Sequence, residues 1–407
     1  MNLGPMKILL SPMHETELEV LLSERAAHSA HTLVSSPEEA DFILLAGSFG
    51  LDPQHLLDHP LYRAYPDKCA VYSEDGNYLP LAPGVYCSAV NDESSRVGRV
   101  FSYSYISASG RYSNPFVTVW DTEKPLLFSF QGGSTSLLRK RMFNLTFDRS
   151  DVLIENTSTY YHWDLSQPNR EERQRRYAQT IASSRFVLCP RGAGSGTIRL
   201  FEVMQAGVAP VLISDDYLLP AHVPWDNFLI RIAERDIARL PELLDPYAPS
   251  AAERGQLARQ AWLDHFAPEK EFDAMIAAAH MALKHGPPTE AEFRRRQRTS
   301  NPDVLSLAGR FYATAIPPRN SAFAQQAEPA GQNQISSSLH LHFDGELSHP
   351  LSVVAGDFDE DGIGDLALGY ALSRCASLEH CETRLPCWCF LVLRPAVDAI
   401  RGRDAAA

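Results

Sequence analysis

The stretch that most restricts this chain is Ser183 to Pro220, SSRFVLCPRGAGSGTIRLFEVMQAGVAPVLISDDYLLP. Phe186 to Cys189 is an apolar run stopped at Pro190, which predicts a buried strand ending in a fixed turn. Arg191-Gly192-Ala193-Gly194-Ser195-Gly196 follows, where the backbone can bend sharply and come close to another group. Thr197 to Ala206 predicts a helix with Gly207 as its stop, and Val208 to Ile213 a second strand. Strand, glycine loop, helix and strand make a βαβ unit of the kind that binds nucleotides. Such a loop offers backbone N–H groups and the positive end of a helix dipole to a phosphate. Arg191 and Arg199 bracket it and are candidates to neutralise a pyrophosphate. Arg199 and Glu202 lie three apart on one helix face. Glu202 is a candidate ribose ligand there, the alternative being a surface ion pair with Arg199.

The run from Phe186 to Pro220, followed by VPWDNFLIRIAERDIARLPELL, resembles the donor-binding half of the exostosin-like glycosyltransferases. The matching residues are Cys189 to Gly192, Arg199 to Glu202, Ala206 to Val211, Asp216 to Pro220 and Trp225. Lys124 to Gly133, KPLLFSFQGG, is similar to that family's opening of its second lobe, with Arg139 and Arg141 in the next helix. The resemblance extends weakly over residues 7–283 and is strongest over 183–245. It implies an α/β protein of two Rossmann-like lobes (GT-B-type) that transfers a sugar, with inversion, from a nucleoside-diphosphate sugar to a carbohydrate or other hydroxyl acceptor. Gly132, Gly133 and Arg139 join Arg191, Gly192, Gly194, Ser195, Gly196, Arg199 and Glu202 as candidate donor-binding residues. No cofactor is expected for the transfer itself.

The expected divisions are an acceptor-side lobe at 1–120, a donor-side lobe at 121–284 and a disordered linker at 285–345. Residues 346–372 form a β-rich appendage, and an irregular tail covers 373–407. In the first lobe, Lys7 to Ser11, Ala40 to Leu45 and Asp67 to Tyr72 read as strands, with a helix at Glu15 to Ser23. Ser73-Glu74-Asp75-Gly76 follows a strand's carboxyl end, where open α/β sheets bind ligands. Glu74 and Asp75 are therefore candidates for acceptor recognition or general base, the alternative being a solvent-facing turn. After the donor unit, Phe228 to Ile232 reads as a strand and Asp236 to Leu244 as a helix. Helices at Ala251 to Phe266 and Glu271 to Lys284 then tie the lobes together.

Charge and cysteines narrow the class. A formal charge of −13 over 407 residues excludes a broad nucleic-acid footprint. No apolar run approaches the roughly 20 residues of a membrane span, and the opening MNLGPMKILLSP is too short in apolar residues for a secretory signal. Cys69, Cys87 and Cys189, isolated in the body, suit a reducing compartment, and the expectation is cytoplasm. No His-Glu-x-x-His or Cys-x-x-Cys spacing signals a metal.

Near the end, Gly356-Asp357-Phe358-Asp359-Glu360-Asp361-Gly362-Ile363-Gly364-Asp365 is an oxygen-rich loop suited to calcium. Leu368 stands where a helical calcium hand would place its Glu. The segment at about 351–370 instead resembles one integrin-type FG-GAP repeat, which implies Asp357, Asp359, Asp361, Ile363 and Asp365 as Ca2+ ligands. An alternative function follows, a non-catalytic carbohydrate-binding or adhesion-type protein with a calcium loop.

Overall fold

The apolar runs become strands buried on both faces, which is why they read as continuous rather than alternating. The computed structural model describes residues 4–286 apart from 14–15, 48–55, 57, 77, 79, 81, 111, 161 and 163, and the strands within 350–356, 365–371 and 388–393. The chain divides into two units, Met1–Thr299 and Ser300–Ala407.

The first unit holds two parallel sheets. The first sheet contains β1 (Lys7–Pro12), β2 (Thr32–Leu33), β3 (Phe42–Gly47), β4 (Cys69–Ser73), β5 (Gly84–Tyr86) and β6 (Val100–Phe101), in the order β2-β1-β3-β4-β5-β6. Its helices are α1 (Thr16–Ala26), α2 (Pro60–Ala64), α3 (Glu93–Arg96) and α4 (Ile106–Ser109). The second sheet contains β7 (Leu126–Gly132), β8 (Val152–Asn156), β9 (Ser184–Pro190), β10 (Ala209–Ile213) and β11 (Ile230–Arg231), in the order β11-β10-β9-β7-β8. With it come α5 (Leu137–Phe143), α6 (Arg170–Ala182), α7 (Ile198–Gln205) and α8 (Leu240–Leu244). Every strand pair in both sheets is parallel. Each sheet starts at an inner strand, adds one neighbour, then reverses direction, so each has a topological switch point beside its first strand.

The sheets' two faces carry separate cores. Phe42, Leu44 and Tyr72 of the first sheet share a cluster with Val187, Leu212, Leu200, Phe266 and Phe272. The opposite faces are closed by Ile43, Leu45 and Val71 in one sheet and by Phe128, Phe130, Leu188 and Val211 in the other. The closing helices behave as expected. α9 (Ala251–His265) packs on α7 and β10, whereas α10 (Pro268–Leu283) returns to β4, β5 and α1.

Two local readings need correction. The helix expected over Asp236 to Leu244 is a 3-10 turn, Glu234–Arg239, followed by α8. Pro241 lies at the start of α8, where it lacks the N–H that would continue the preceding turn. The strand expected over Phe228 to Ile232 keeps only Ile230–Arg231, because Phe228 closes a 3-10 turn, Trp225–Asn227. Gly207 stops α7 as expected, at φ +68°.

The second unit contributes three strands, β12 (Pro350–Gly356), β13 (Asp365–Ala371) and β14 (Trp388–Leu393), in an antiparallel sheet of that order. Gly356 pairs with Asp365 across the β12–β13 hairpin. Asp357, Asp359, Asp361 and Ile363 lie outside the described residues, as does the side chain of Asp365, and so do residues 287–345.

Candidate functional site

Sheet order places the site. β7 and β9 are neighbours whose crossovers lead in opposite directions, so their carboxyl ends, Gly132-Gly133 and Arg191-Gly192, flank a crevice. Arg139 spans that crevice from the first turns of α5. Its Nε and Nη2 donate to the carbonyls of Arg191 and Pro190, both at 3.0 Å, and its Nη1 reaches Gly133 O at 3.4 Å. A buried guanidinium used this way ties the two strand ends together. Arg191 turns outward to Glu234, with Nε 2.7 Å from Oε1.

Arg199 rises from the first turn of α7 into the same crevice and is buried. Its guanidinium lies over the Phe130 ring, 4.6 Å from the centroid. Nη2 donates to Gln131 O, Nε donates to the Tyr177 hydroxyl at 3.1 Å, and Nη1 has no hydrogen-bond partner. Burial works against its charge, and Tyr177 and Glu202 more than offset this, so its pKa lies above the ordinary value. Gly132 makes room: a Cβ there would stand 2.9 Å from the Phe130 ring and 3.1 Å from Arg199 Nη2. Glu202, half-buried one turn on, accepts from Tyr177 at 2.6 Å. Arg199 and Glu202 therefore share no ion pair; a tyrosine hydroxyl separates them.

Other buried polar atoms here also lack partners. They are Gln131 Oε1, Thr135 Oγ1 and Tyr160 OH, on β7, the β7–α5 loop and the turn after β8. Gln131 Nε2 is fixed by Glu155 at 2.6 Å, and Thr135 lies beside Gly192 and Gly133. His162, in the same turn, is held below the usual imidazole range by burial, with Glu202 opposing. An unsatisfied buried polar atom costs about 1–3 kcal/mol. A group of them at a switch point is the arrangement a polar ligand relieves. No side-chain bond caps the N-terminus of α7, which leaves its dipole available to an anion.

The glycine loop has a second use. A Cβ on Gly194 would meet Gly76 O and Ser88 Oγ at 2.4 Å, and one on Gly196 would meet Cys87 O at 2.4 Å. Ser195 Oγ donates to Ser88 O at 2.6 Å and lies 3.2 Å from Ala89 O. Tyr217 pairs with Val90 in an antiparallel bridge, and Asn91 N donates to Asp216 O. Half of the candidate donor loop is thus packed on the first lobe, while Gly192 faces Thr135 and Arg139.

On the first-lobe side, Glu74 and Asp75 follow β4 directly, next to Gly76 and this contact. Glu74 Oε1 accepts from Tyr72 OH at 2.7 Å and Ser107 N at 2.9 Å, and Oε2 accepts from Ser107 Oγ. Its carboxylate fastens α4 to β4. Asp75 lies 3.3 Å from Ser73 Oγ through both its amide and its carboxylate. Sequence reading did not find Gln131, Thr135, Tyr160 or Tyr177. Among the described residues, no group of three or more His, Cys, Asp or Glu is placed to hold a metal ion. Nor is any helix among them long and apolar enough to cross a membrane.

Comparison with known proteins bears on this crevice. The chain is 31% identical over 137 residues to the Exostosin-1 homolog of Caenorhabditis elegans, covering 30% of the chain and 36% of that protein. It is 31% identical over 134 residues to Exostosin-1 of Drosophila melanogaster, covering 30% of the chain and 18% of that protein. With the probable glucuronoxylan glucuronosyltransferase IRX7 of Arabidopsis thaliana it shares 38% over 74 residues, 18% of the chain and 16% of that protein. The chain thus spans about a third or less of the length of these relatives. Among solved structures, the DNA-modifying enzyme β-glucosyltransferase aligns over 68% of this chain and 100% of its own at 14% identity, with a TM-score of 0.39. The segment carrying the second sheet, the crevice and Arg199, residues 117–246, matches the Exostosin GT47 domain.

Proposed function

We propose that the chain is an inverting glycosyltransferase of the GT-B type, using a nucleoside-diphosphate sugar as donor and a carbohydrate or other hydroxyl compound as acceptor. The donor diphosphate sits at the switch point between β7 and β9. Arg199 and the N-terminus of α7 face its charge, and Glu202 accepts from the ribose. Gly133 and Gly192 let it approach the backbone, Gly132 makes room for Arg199, and Arg139 holds the walls of the crevice in place. Stabilising the departing diphosphate by fixed charge in a dry crevice is the main catalytic contribution. The acceptor lies toward the first lobe, where the Glu74–Asp75 turn supplies the general base.

One observation carries this reading: Arg199, for which Gly132 makes room, keeps a buried Nη1 without a partner. Its support from outside the structure is the exostosin match over residues 117–246. The test is calorimetry of the full chain with UDP and GDP, followed by turnover with a panel of nucleotide sugars. Micromolar binding of a nucleoside diphosphate, with release of that diphosphate from one donor, is expected. Absence of binding to either nucleotide would overturn the assignment.

A further inference from the structure

Arg199 and Glu202 occupy neighbouring places on one turn of α7, and left to themselves an arginine and a glutamate so spaced attract each other. A direct pair would neutralise both and use up the atoms a ligand needs. Tyr177, on α6, prevents this. Its hydroxyl accepts from Arg199 Nε at 3.1 Å and donates to Glu202 Oε2 at 2.6 Å. Each partner gives it a single atom. Arg199 keeps Nη1 and Glu202 keeps Oε1, neither with a hydrogen-bond partner among the described residues. The tyrosine ring also lies against the guanidinium, 5.6 Å from centroid to carbon. Burial pushes the Tyr177 hydroxyl well above its ordinary pKa, with Arg199 opposing and Glu202 reinforcing.

We infer that Tyr177 is a positioning residue of the donor site, a neutral spacer that holds Arg199 and Glu202 apart and aims one group of each at the bound nucleotide. This rests on the donor reading above. It is distinct from a packing role because the hydroxyl, not the ring, does the spacing. Removing the oxygen lets Nε of Arg199 swing toward Glu202, so the pair collapses onto itself and the phosphate and ribose contacts weaken together.

The experiment is a double-mutant cycle on the full chain, with UDP as the probe. Calorimetry is run on wild type, Tyr177→Phe, Arg199→Lys and the double variant, each first checked by thermal melting. Lysine keeps the charge of Arg199 but lacks the Nε–H that Tyr177 receives. Tyr177→Phe should weaken UDP binding about tenfold with Arg199 present and less than twofold in the Arg199→Lys background. Equal losses in both backgrounds would mean a general structural effect and would overturn the inference. Unchanged binding in Tyr177→Phe would overturn it while leaving the donor reading intact. If wild type itself binds neither UDP nor GDP, the donor reading fails and the inference with it. Should Tyr177→Phe not fold, Glu202→Gln replaces it in the cycle, and a coupling of fivefold or more with Arg199→Lys is the supporting result. Additivity of those two changes would be the contrary one.

Discussion

The two sheets follow the same strand order and end differently. In the first, the polar groups after β4 are turned inward: Glu74 is held by Tyr72 and Ser107, and Tyr72 OH also lies 2.8 Å from Ser104 O. In the second, Gln131, Thr135, Tyr160 and Arg199 each leave a buried polar atom unmatched at the carboxyl edge. Natural structures satisfy nearly all buried polar groups. Around Glu74 the Ser104 Oγ is also left unmatched, but the second edge gathers four such atoms, and an edge that does so is built around something else. Topology alone gives each sheet a switch point, which in the first lies between β1 and β3, one strand away from Glu74. The number of unmatched buried atoms sets the second edge apart from the turn after β4 among the described residues.

The strongest way to break that contrast is to remove the cation at the second edge. Arg199→Ala should weaken UDP or GDP binding by about 1.5–3 kcal/mol, the range for a hydrogen bond to a charged group. Calorimetry on protein with an unchanged melt measures it, and unaltered affinity for both nucleotides would place Arg199 outside the site.

Acidity tests the first lobe next. Glu271 on α10 is 2% exposed and accepts from Arg25 Nε at 3.1 Å and from Ser109 Oγ at 2.9 Å. Burial raises its pKa from 4.5 to about 7, against the pull of Ser109 and Arg25 and with Glu74 adding to the rise. A carboxyl whose folded pKa exceeds its unfolded one stabilises the fold fully below the unfolded value, and this contribution is lost as pH rises through the folded value. Stability should therefore fall by about 3 kcal/mol between roughly pH 4.5 and 7 on account of this residue, at about 1.4 kcal/mol per pKa unit. Glu271→Gln should remove that slope in urea titrations at pH 5 and 8. A slope unchanged in the variant would assign it to other groups.

What could be read from the sequence, and what could not, follows from the range of the forces involved. β3, β4 and β9 were legible because strands buried on both faces leave unbroken apolar runs, and α7 because Gly207 marks its end. The glycine loop was legible only as a place where the backbone meets something closely. Gly194 and Gly196 meet the first lobe, and no local pattern distinguishes that neighbour from a ligand. Tyr177 was hidden for a related reason. Spacing relates Arg199 to Glu202 along one helix, but the hydroxyl between them arrives from another helix 22 residues earlier.

The glycines themselves supply the next test. Gly194→Ala places a methyl 2.4 Å from Gly76 O and Ser88 Oγ, whereas Gly133→Ala meets nothing nearer than 3.7 Å. Overpacking of this kind costs about 1–3 kcal/mol. Gly194→Ala should lower the midpoint of thermal unfolding, and Gly133→Ala should leave it nearly unchanged. Equal effects would mean that the loop does not bear on the first lobe in solution.

The smallest expected effect concerns Glu74. Glutamine has the same shape: its carbonyl oxygen can still accept from Tyr72 OH and Ser107 N, and its amide can donate to Ser107 Oγ, which is able to reverse its role. The loss is one charge-assisted increment, about 1 kcal/mol of stability. If the carboxylate only fastens α4, turnover in Glu74→Gln should remain within about threefold of wild type, and Asp75→Asn should carry the larger loss. A general base removed would instead cost about 10²–10⁴ in rate with little change in the melt. Measuring kcat and the melting midpoint for both variants assigns the base to one of these adjacent carboxylates. A large rate loss confined to Glu74→Gln would show that the first edge holds a catalytic group despite its closed hydrogen bonds.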